Sequence, residues 1–181
     1  MKLLEMKFCS NCGFNVSLKQ IDNDPLPRYF CEQCQTIHYT NPNVIAGVLP
    51  YWDNKVLLCR RAIEPRKGFW NLPAGFLENF ETVEQGAQRE CWEEAEAKVD
   101  IQGVMAVYSL PHANQVYIHF HGILVDGKFG CGVESTECKL FSEAEIPWNE
   151  IAFTSSSFAL KHYFEDRKTG VIKTHIGSFQ L

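Results

Sequence analysis

Glu90, Glu93 and Glu94 stand at i, i+3 and i+4, so on a helix they share one face. Three carboxylates that close repel one another unless a cation sits among them. Hard divalent cations such as Mg²⁺ or Mn²⁺ take oxygen ligands and suit phosphate-bearing substrates. The segment from Gly75 to Ala97 also places Glu81 six residues after Gly75 and Arg89 eight residues after Glu81. The chemistry this points to is metal-assisted attack on a phosphate. The competing reading is a solvated acidic helix face, braced by pairs such as Gln85 with Arg89 and Arg89 with Glu93. The fixed offsets of Gly, Glu, Arg-Glu and Glu-Glu within one short segment argue against it.

A second group with chemical potential lies near the N-terminus. Cys9-Ser10-Asn11-Cys12 and Cys31-Glu32-Gln33-Cys34 are two C-x2-C knuckles separated by eighteen residues. That is the spacing of a zinc ribbon, in which each pair offers two thiolates from one tight turn. Four cysteine ligands leave no open position, so such a Zn²⁺ is structural. The alternatives are two disulfides, a redox pair or buried free thiols. Disulfides suit a secreted chain, and MKLLEMKF has no long apolar run of the signal-peptide kind. Cys59, Cys91, Cys131 and Cys138 are scattered singly; Cys59 and Cys138 sit in strand-like apolar runs, where core packing is expected.

The acidic segment needs a helix to hold it. Thr82 and Gln85 form a Thr-x-x-Gln capping box that starts one near Val83. Val83, Ala87, Cys91 and Ala95 recur at four-residue steps as an apolar stripe, and the carboxylates are expected to face away from it. Leu72-Pro73-Ala74-Gly75 stops any regular element upstream, and Gly75 lets backbone approach a ligand closely. Elsewhere, 44–51 and 55–60 read as a hairpin about Asp53-Asn54, 63–74 as irregular, and 100–109, 115–125 and 137–141 as strands. A closing helix is expected over 158–167. Strands, an embedded helix, more strands and a late helix make an α+β domain. The chain divides near residue 40 into 1–40, with 1–7 a loose tail, and 41–181.

Composition bounds the partners. Among 181 residues, 17 basic against 22 acidic side chains give −5 at pH 7, no footprint for general nucleic-acid binding. No stretch is long and apolar enough to span a membrane, and the whole reads as a soluble cytoplasmic protein.

The Gly75–Ala97 segment resembles the Nudix box, G-x5-E-x7-R-E-U-x-E-E-x-G-U with U aliphatic. It matches at Gly75, Glu81, Arg89, Glu90, Glu93 and Glu94, with Cys91 and Ala97 in apolar slots. Glu96 departs, standing where the family has Gly. Either Glu96 closes the last turn in αL, at a cost on the order of 1 kcal/mol, or the helix runs longer. The ribbon, His38-Tyr39-Thr40-Asn41-Pro42, the run from Leu57 to Phe76, Asn114-Gln115-Val116-Tyr117 and the run from Ile146 to Phe153 extend the likeness over nearly the whole chain. Together they are similar to a zinc-ribbon Nudix branch of bacterial and plant-chloroplast FAD/ADP-ribose pyrophosphatases. The NADH-pyrophosphatase motif S-Q-P-W-P-F-P-x-S is replaced by Tyr108-Ser109-Leu110-Pro111-His112.

The resemblance implies a Nudix α/β/α sandwich and divalent-metal-dependent hydrolysis of a pyrophosphate bond, in FAD or ADP-ribose. It implies Glu90, Glu94 and Glu93 as ligands to Mg²⁺ or Mn²⁺, helped by the Gly75 carbonyl, with Glu81 and Arg89 orienting loop and helix. The general base is expected at Glu134 or Glu137 in a Gly-bearing loop, or at Glu90 or Glu93 in the box. Arg60, Arg61, Arg66 and Lys67 are available to phosphates. Phe69, Trp70, Tyr108 and Tyr117 can stack on a base, with core packing the competing role at each. His112, Asn114 and Gln115 can hydrogen-bond a ribose or base, and His119 and His121 are expected exposed. A homodimer follows from the resemblance alone. The reading from a different class is a Nudix-fold ligand sensor without turnover; the three retained carboxylates favour the enzyme.

Overall fold

The computed structural model describes residues 6–179, which fall into two compact units divided after Pro42. The expected loose tail lies outside the described residues as far as Glu5; Lys7 is already tied, its carbonyl accepting from Val16 N–H at 3.1 Å. The first unit is a three-stranded antiparallel sheet of β1 (Ser17–Lys19), β2 (Arg28–Phe30) and β3 (Ile37–His38).

The second unit is built on one mixed sheet. Its strands are β4 (Asn43–Trp52), β5 (Lys55–Arg61), β6 (Trp70–Asn71), β7 (Ala74–Phe76), β8 (Val99–Leu110), β9 (Gln115–Leu124), β10 (Ser135–Phe141) and β11 (His175–Ser178). The order is β10-β5-β4-β9-β8-β11, with β6 beside β5 and β7 beside β4. β4 runs parallel to β9 and β11 parallel to β8; the other pairs are antiparallel.

Helix α1 (Val83–Ala95) covers one face and α2 (Thr154–Thr169) the other. Successive residues of β5 show why its apolar run is continuous. Val56 and Leu58 enter the core under α2, while Leu57 and Cys59 enter the core under α1. A strand covered on both faces has no polar side to alternate with. This is the α/β/α sandwich expected within an α+β class.

Three expectations need correction. The segment 63–74 holds β6, and Ala74–Phe76 is a strand rather than a stop, because β4 and β5 offer open pairing edges there. Helix α2 begins four residues early: Ser155 and Ser156 are both buried, and Ser156 Oγ donates to Asn71 Oδ1 at 2.6 Å. β11 has no alternation of its own. Buried Asp166 places it, accepting from Lys173 N–H at 2.7 Å and lying 2.8 Å from His175 Nε2.

Candidate active site and metal centre

Helix α1 starts and stops as its sequence dictates. Thr82 Oγ1 accepts from Gln85 N–H at 3.2 Å and Gln85 Oε1 from Thr82 N–H at 2.8 Å, closing the capping box. At the other end Glu96 takes αL geometry (φ 47°, ψ 32°), its N–H donating to Trp92 O at 2.8 Å. Of the two readings of Glu96, the structure takes the first. The helix ends at Ala95 and the upstream carboxylates keep their register.

The carboxylates are not on a solvated face. Glu90 and Glu94 are 9 % and 5 % exposed, turned toward β7, while Glu93 is exposed. The helix stripe is Ala87, Cys91 and Ala95, but the adjoining face is also covered, because β7 crosses it. Gly75 makes the room. A Cβ on Gly75 would lie 2.3 Å from Glu90 Oε1 and 2.4 Å from its Cδ, far inside contact distance. Gly75→Ala should therefore expel the Glu90 carboxylate and weaken Mn²⁺ binding roughly ten- to a hundredfold, the range seen when metal-site supports are lost. Calorimetric Mn²⁺ titration checks this, and wild-type affinity in the variant would contradict it.

Arg89 organises the rest. Its Nε and Nη2 donate to the two oxygens of Glu81 at 3.1 and 2.8 Å, a bidentate fork. Its Nη1 donates to Glu90 Oε1 at 2.6 Å and Glu93 Oε2 at 3.1 Å, and Nη2 also reaches the Phe76 carbonyl at 3.0 Å. Glu81 is held in turn by the Glu78 N–H at 2.7 Å. One guanidinium thus ties the β7 loop, the helix and three carboxylates together.

Burial and mutual repulsion set the electrostatics of the cluster. Arg89, then the Glu78 N–H, hold Glu81 below the usual carboxylate range. Burial raises Glu90 despite Arg89. Burial, then the neighbouring Glu90 charge, push Glu94 from its usual 4.5 up to about 8, against the pull of Arg61 and the Ala74 N–H. A divalent cation is the group that lets two such carboxylates ionise side by side. The donor atoms are all oxygen, the type that suits Mg²⁺ or Mn²⁺, but among the described residues the three carboxylates do not draw their oxygens within 4.8 Å of one another as the ribbon cysteines do their sulfurs.

The remaining expected residues divide into two groups. Glu134 acts electrostatically on both Glu90 and Glu94. Glu137 instead lies 3.6 Å from Arg60 in an exposed pair, and Arg60 Nε donates to Gly68 O at 2.8 Å. Arg61 is near Glu94 and Tyr117, with its guanidinium 5.1 Å from the Phe153 ring centre. Asn114 and Gln115 open β9 beside the start of β4, where Ile45 pairs with both Phe76 and Tyr117. Asn114 is αL and its carbonyl accepts from Asn43 N–H at 2.8 Å; Gln115 Oε1 accepts from Tyr117 Oη at 3.3 Å.

Trp70 is not a stacking face: it is 6 % exposed and meets the Phe141 ring edge-on at 4.9 Å. His119 is fully buried and His121 half-buried, against expectation: the His119 ring takes the space that a Cβ on Gly47 of the neighbouring strand would fill, and Tyr51 stacks on His121 at 6.3 Å between ring centres.

In the first unit the four sulfurs of Cys9, Cys12, Cys31 and Cys34 all lie within 4.8 Å of one another. Cys9 Sγ is 3.6 Å from Cys34 Sγ and Cys12 Sγ is 3.5 Å from Cys31 Sγ, with all four thiols free. Sulfurs around tetrahedral Zn²⁺ are spaced by about 3.8 Å, so the set fits that ion. The pairing of knuckles, one sulfur from each in both short contacts, is not that of disulfides within a C-x2-C. His38, which sequence reasoning left in a linker motif, is buried with Nε2 3.2 Å from Cys9 Sγ. It supplies the outer support such thiolates take.

The NUDIX domain family model matches residues 41–162. The chain belongs to the Nudix family. The zinc-ribbon model described as Nudix N-terminal matches residues 7–40. A crystal structure of a NUDIX hydrolase from Nitrosomonas europaea is 55 % identical with a TM-score of 0.93, covering 96 % of this chain and 99 % of that one. An ADP-ribose pyrophosphatase of Methanocaldococcus jannaschii is 32 % identical over 113 residues, 60 % of this Nudix chain and 67 % of the relative. The NAD-capped RNA hydrolase NudC of Vibrio atlanticus is 34 % identical over 110 residues, 60 % of this chain and 38 % of the relative. The chain thus spans from under half to about two thirds of these curated relatives. Among the described residues no helix is long and apolar enough to cross a membrane.

Proposed function

We propose that this Nudix protein hydrolyses the pyrophosphate bond of nucleoside-diphosphate-linked compounds with Mg²⁺ or Mn²⁺, ADP-ribose and FAD being the substrates to expect. The observation that carries the reading is the pair of buried carboxylates, Glu90 and Glu94, cradled against Gly75 and braced by Arg89. The likeness to an ADP-ribose pyrophosphatase supports the substrate class; FAD rests on the motif resemblance.

Glu90, Glu94 and the more exposed Glu93 are the proposed metal ligands, with the Gly75 carbonyl beside them. The bound metal would neutralise phosphate charge and lower the pKa of water. Arg89 and Glu81 keep the loop and helix in place so that the ligand oxygens need not reorganise. Arg61, half-buried with its Nε donating to Pro65 O at 2.8 Å and its charge felt at Glu94, is the proposed phosphate partner. Glu134 is the better base of the two loop acids, since its charge reaches Glu90 and Glu94 while Glu137 is engaged by Arg60. As base it would take the proton of the attacking water. The four cysteines would hold a structural Zn²⁺.

Product analysis tests the proposal. Incubation with Mg²⁺ or Mn²⁺ and, separately, ADP-ribose, FAD, NADH and a NAD-capped RNA should release AMP from ADP-ribose or FAD. Binding without turnover of any of them would convert the reading to a ligand sensor.

A further inference from the structure

Behind helix α1 lies a pair of thiols that the proposed hydrolysis does not use. Cys59 on β5 and Cys138 on β10 are register partners in an antiparallel pair, and their sulfurs are 3.6 Å apart. Both belong to the core under α1. Cys59 is buried and Cys138 is partly open. Cys138 Sγ also donates to the Glu94 carbonyl at 3.5 Å.

Two thiols cannot complete a metal tetrahedron. Among the described residues no third metal-ligating side chain comes within 4.8 Å of both of these sulfurs. The geometry does suit a covalent bond. Directly opposed residues of antiparallel strands have Cα atoms roughly 4.5–5.5 Å apart, inside the roughly 4.4–6.8 Å span of disulfides. The backbone can stay in place while the sulfurs close to about 2.0 Å.

We propose that Cys59 and Cys138 form a reversible dithiol–disulfide site that responds to hydroperoxides, set against the backbone of Glu94. The more accessible Cys138 reacts first. Its sulfur attacks a hydroperoxide oxygen, the O–O bond breaks, and water or an alcohol leaves with the thiol proton, giving a sulfenic acid. The Cys59 sulfur then attacks the Cys138 sulfur. The S–O bond breaks, the S–S bond forms, and water carries away the Cys59 proton. The two thiols lose two electrons and the peroxide gains them. Cys138 then no longer donates to the Glu94 carbonyl, which keeps the Gly132 N–H at 3.0 Å. Oxidation is thereby felt at the C-terminal turn of the helix that carries the acidic cluster.

The competing partner is Cys131, exposed at the start of the same loop, its Sγ donating to Ser135 O at 3.2 Å. The test treats the zinc-loaded full chain with hydrogen peroxide, alkylates free thiols, digests, and maps peptides by mass. We expect a Cys59–Cys138 linked peptide that dithiothreitol separates. In Cys59→Ala, Cys138 should instead accumulate as a sulfenic acid trapped by dimedone. In Cys138→Ser, Cys59 should stay reduced, and this second variant serves if the first fails to fold. Recovery of both cysteines alkylated after peroxide, a Cys131–Cys138 peptide, or oxidation of Cys59 in Cys138→Ser would each overturn the site.

Discussion

Glu94→Gln should lower metal-supported turnover by roughly a thousandfold, because a lost metal ligand forfeits several kcal/mol of transition-state stabilisation at about 1.4 kcal/mol per decade. The fold should survive, since glutamine keeps the shape of the buried side chain and carries no charge to desolvate. Metal-free stability should even improve at high pH. Glu94 has its carboxyl raised from 4.5 to about 8 on folding, so the native state holds a proton that the unfolded chain releases across that window. Stability of the metal-free wild type is therefore lost as pH rises from 4.5 through 8. The neutral amide removes this loss, so at pH 8 the metal-free variant should melt above wild type. Metal competes with the same proton, so Mn²⁺ affinity of the wild type should rise with pH over the same window. Thermal melts with chelator at pH 5 and pH 8, beside kcat with Mn²⁺, read all of this. Unchanged kcat would remove Glu94 from the metal site.

Cys31→Ser should cost the ribbon its ion and its fold. Cys31 is fully buried, its Sγ 3.5 Å from Cys12 Sγ, and a serine hydroxyl is a poor substitute for a thiolate. Structural Zn²⁺ binding in small units is worth about 10–16 kcal/mol. The first unit has only three short strands, with Phe8, Phe14, Leu18 and Leu26 exposed, so it has little apolar core to stand on without metal. Zinc by atomic absorption should fall from about one per chain toward none. Trypsin should then cut at Lys19 and Arg28, which the folded ribbon holds in strands. A chelator should produce the same cleavage in wild type. A Cys31→Ser protein that keeps its zinc would refute the four-cysteine centre.

Local chemistry was readable wherever one segment supplied all the partners. The capping box fixed the first residue of α1, and the helix runs over the residues its pattern indicated. The family's Gly slot was filled by Glu96 without lengthening the helix, because a single αL residue can close a turn at modest cost. The two C-x2-C knuckles brought four sulfurs together from spacing alone. Errors arose where a neighbour distant in sequence decides. His119 looks exposed by alternation, but it is fully buried against Gly47 of the neighbouring β4, a partner some seventy residues away in sequence. Trp70 looks like a stacking platform beside Arg60, but Phe141 and Ile151 approach it from seventy or more residues away. The sequence pattern starts α2 four residues late, because Ser156 there is held by Asn71, a partner distant in sequence.

The order of residues from Gly75 to Glu94 determined by itself which acidic side chains share the helix and the loop before it, because helical periodicity and capping are local. What only the tertiary structure decided is how far they are buried. Strand β7 lies across the helix, Gly75 leaves no side chain in the way, and Glu90 and Glu94 are drawn out of water together. Desolvation depends on what covers a group, and the covering strand pairs with β4, some thirty residues upstream. Glu134 and Glu137 show the same dependence, since two acids three residues apart meet different distant charges, the box carboxylates in one case and Arg60 in the other.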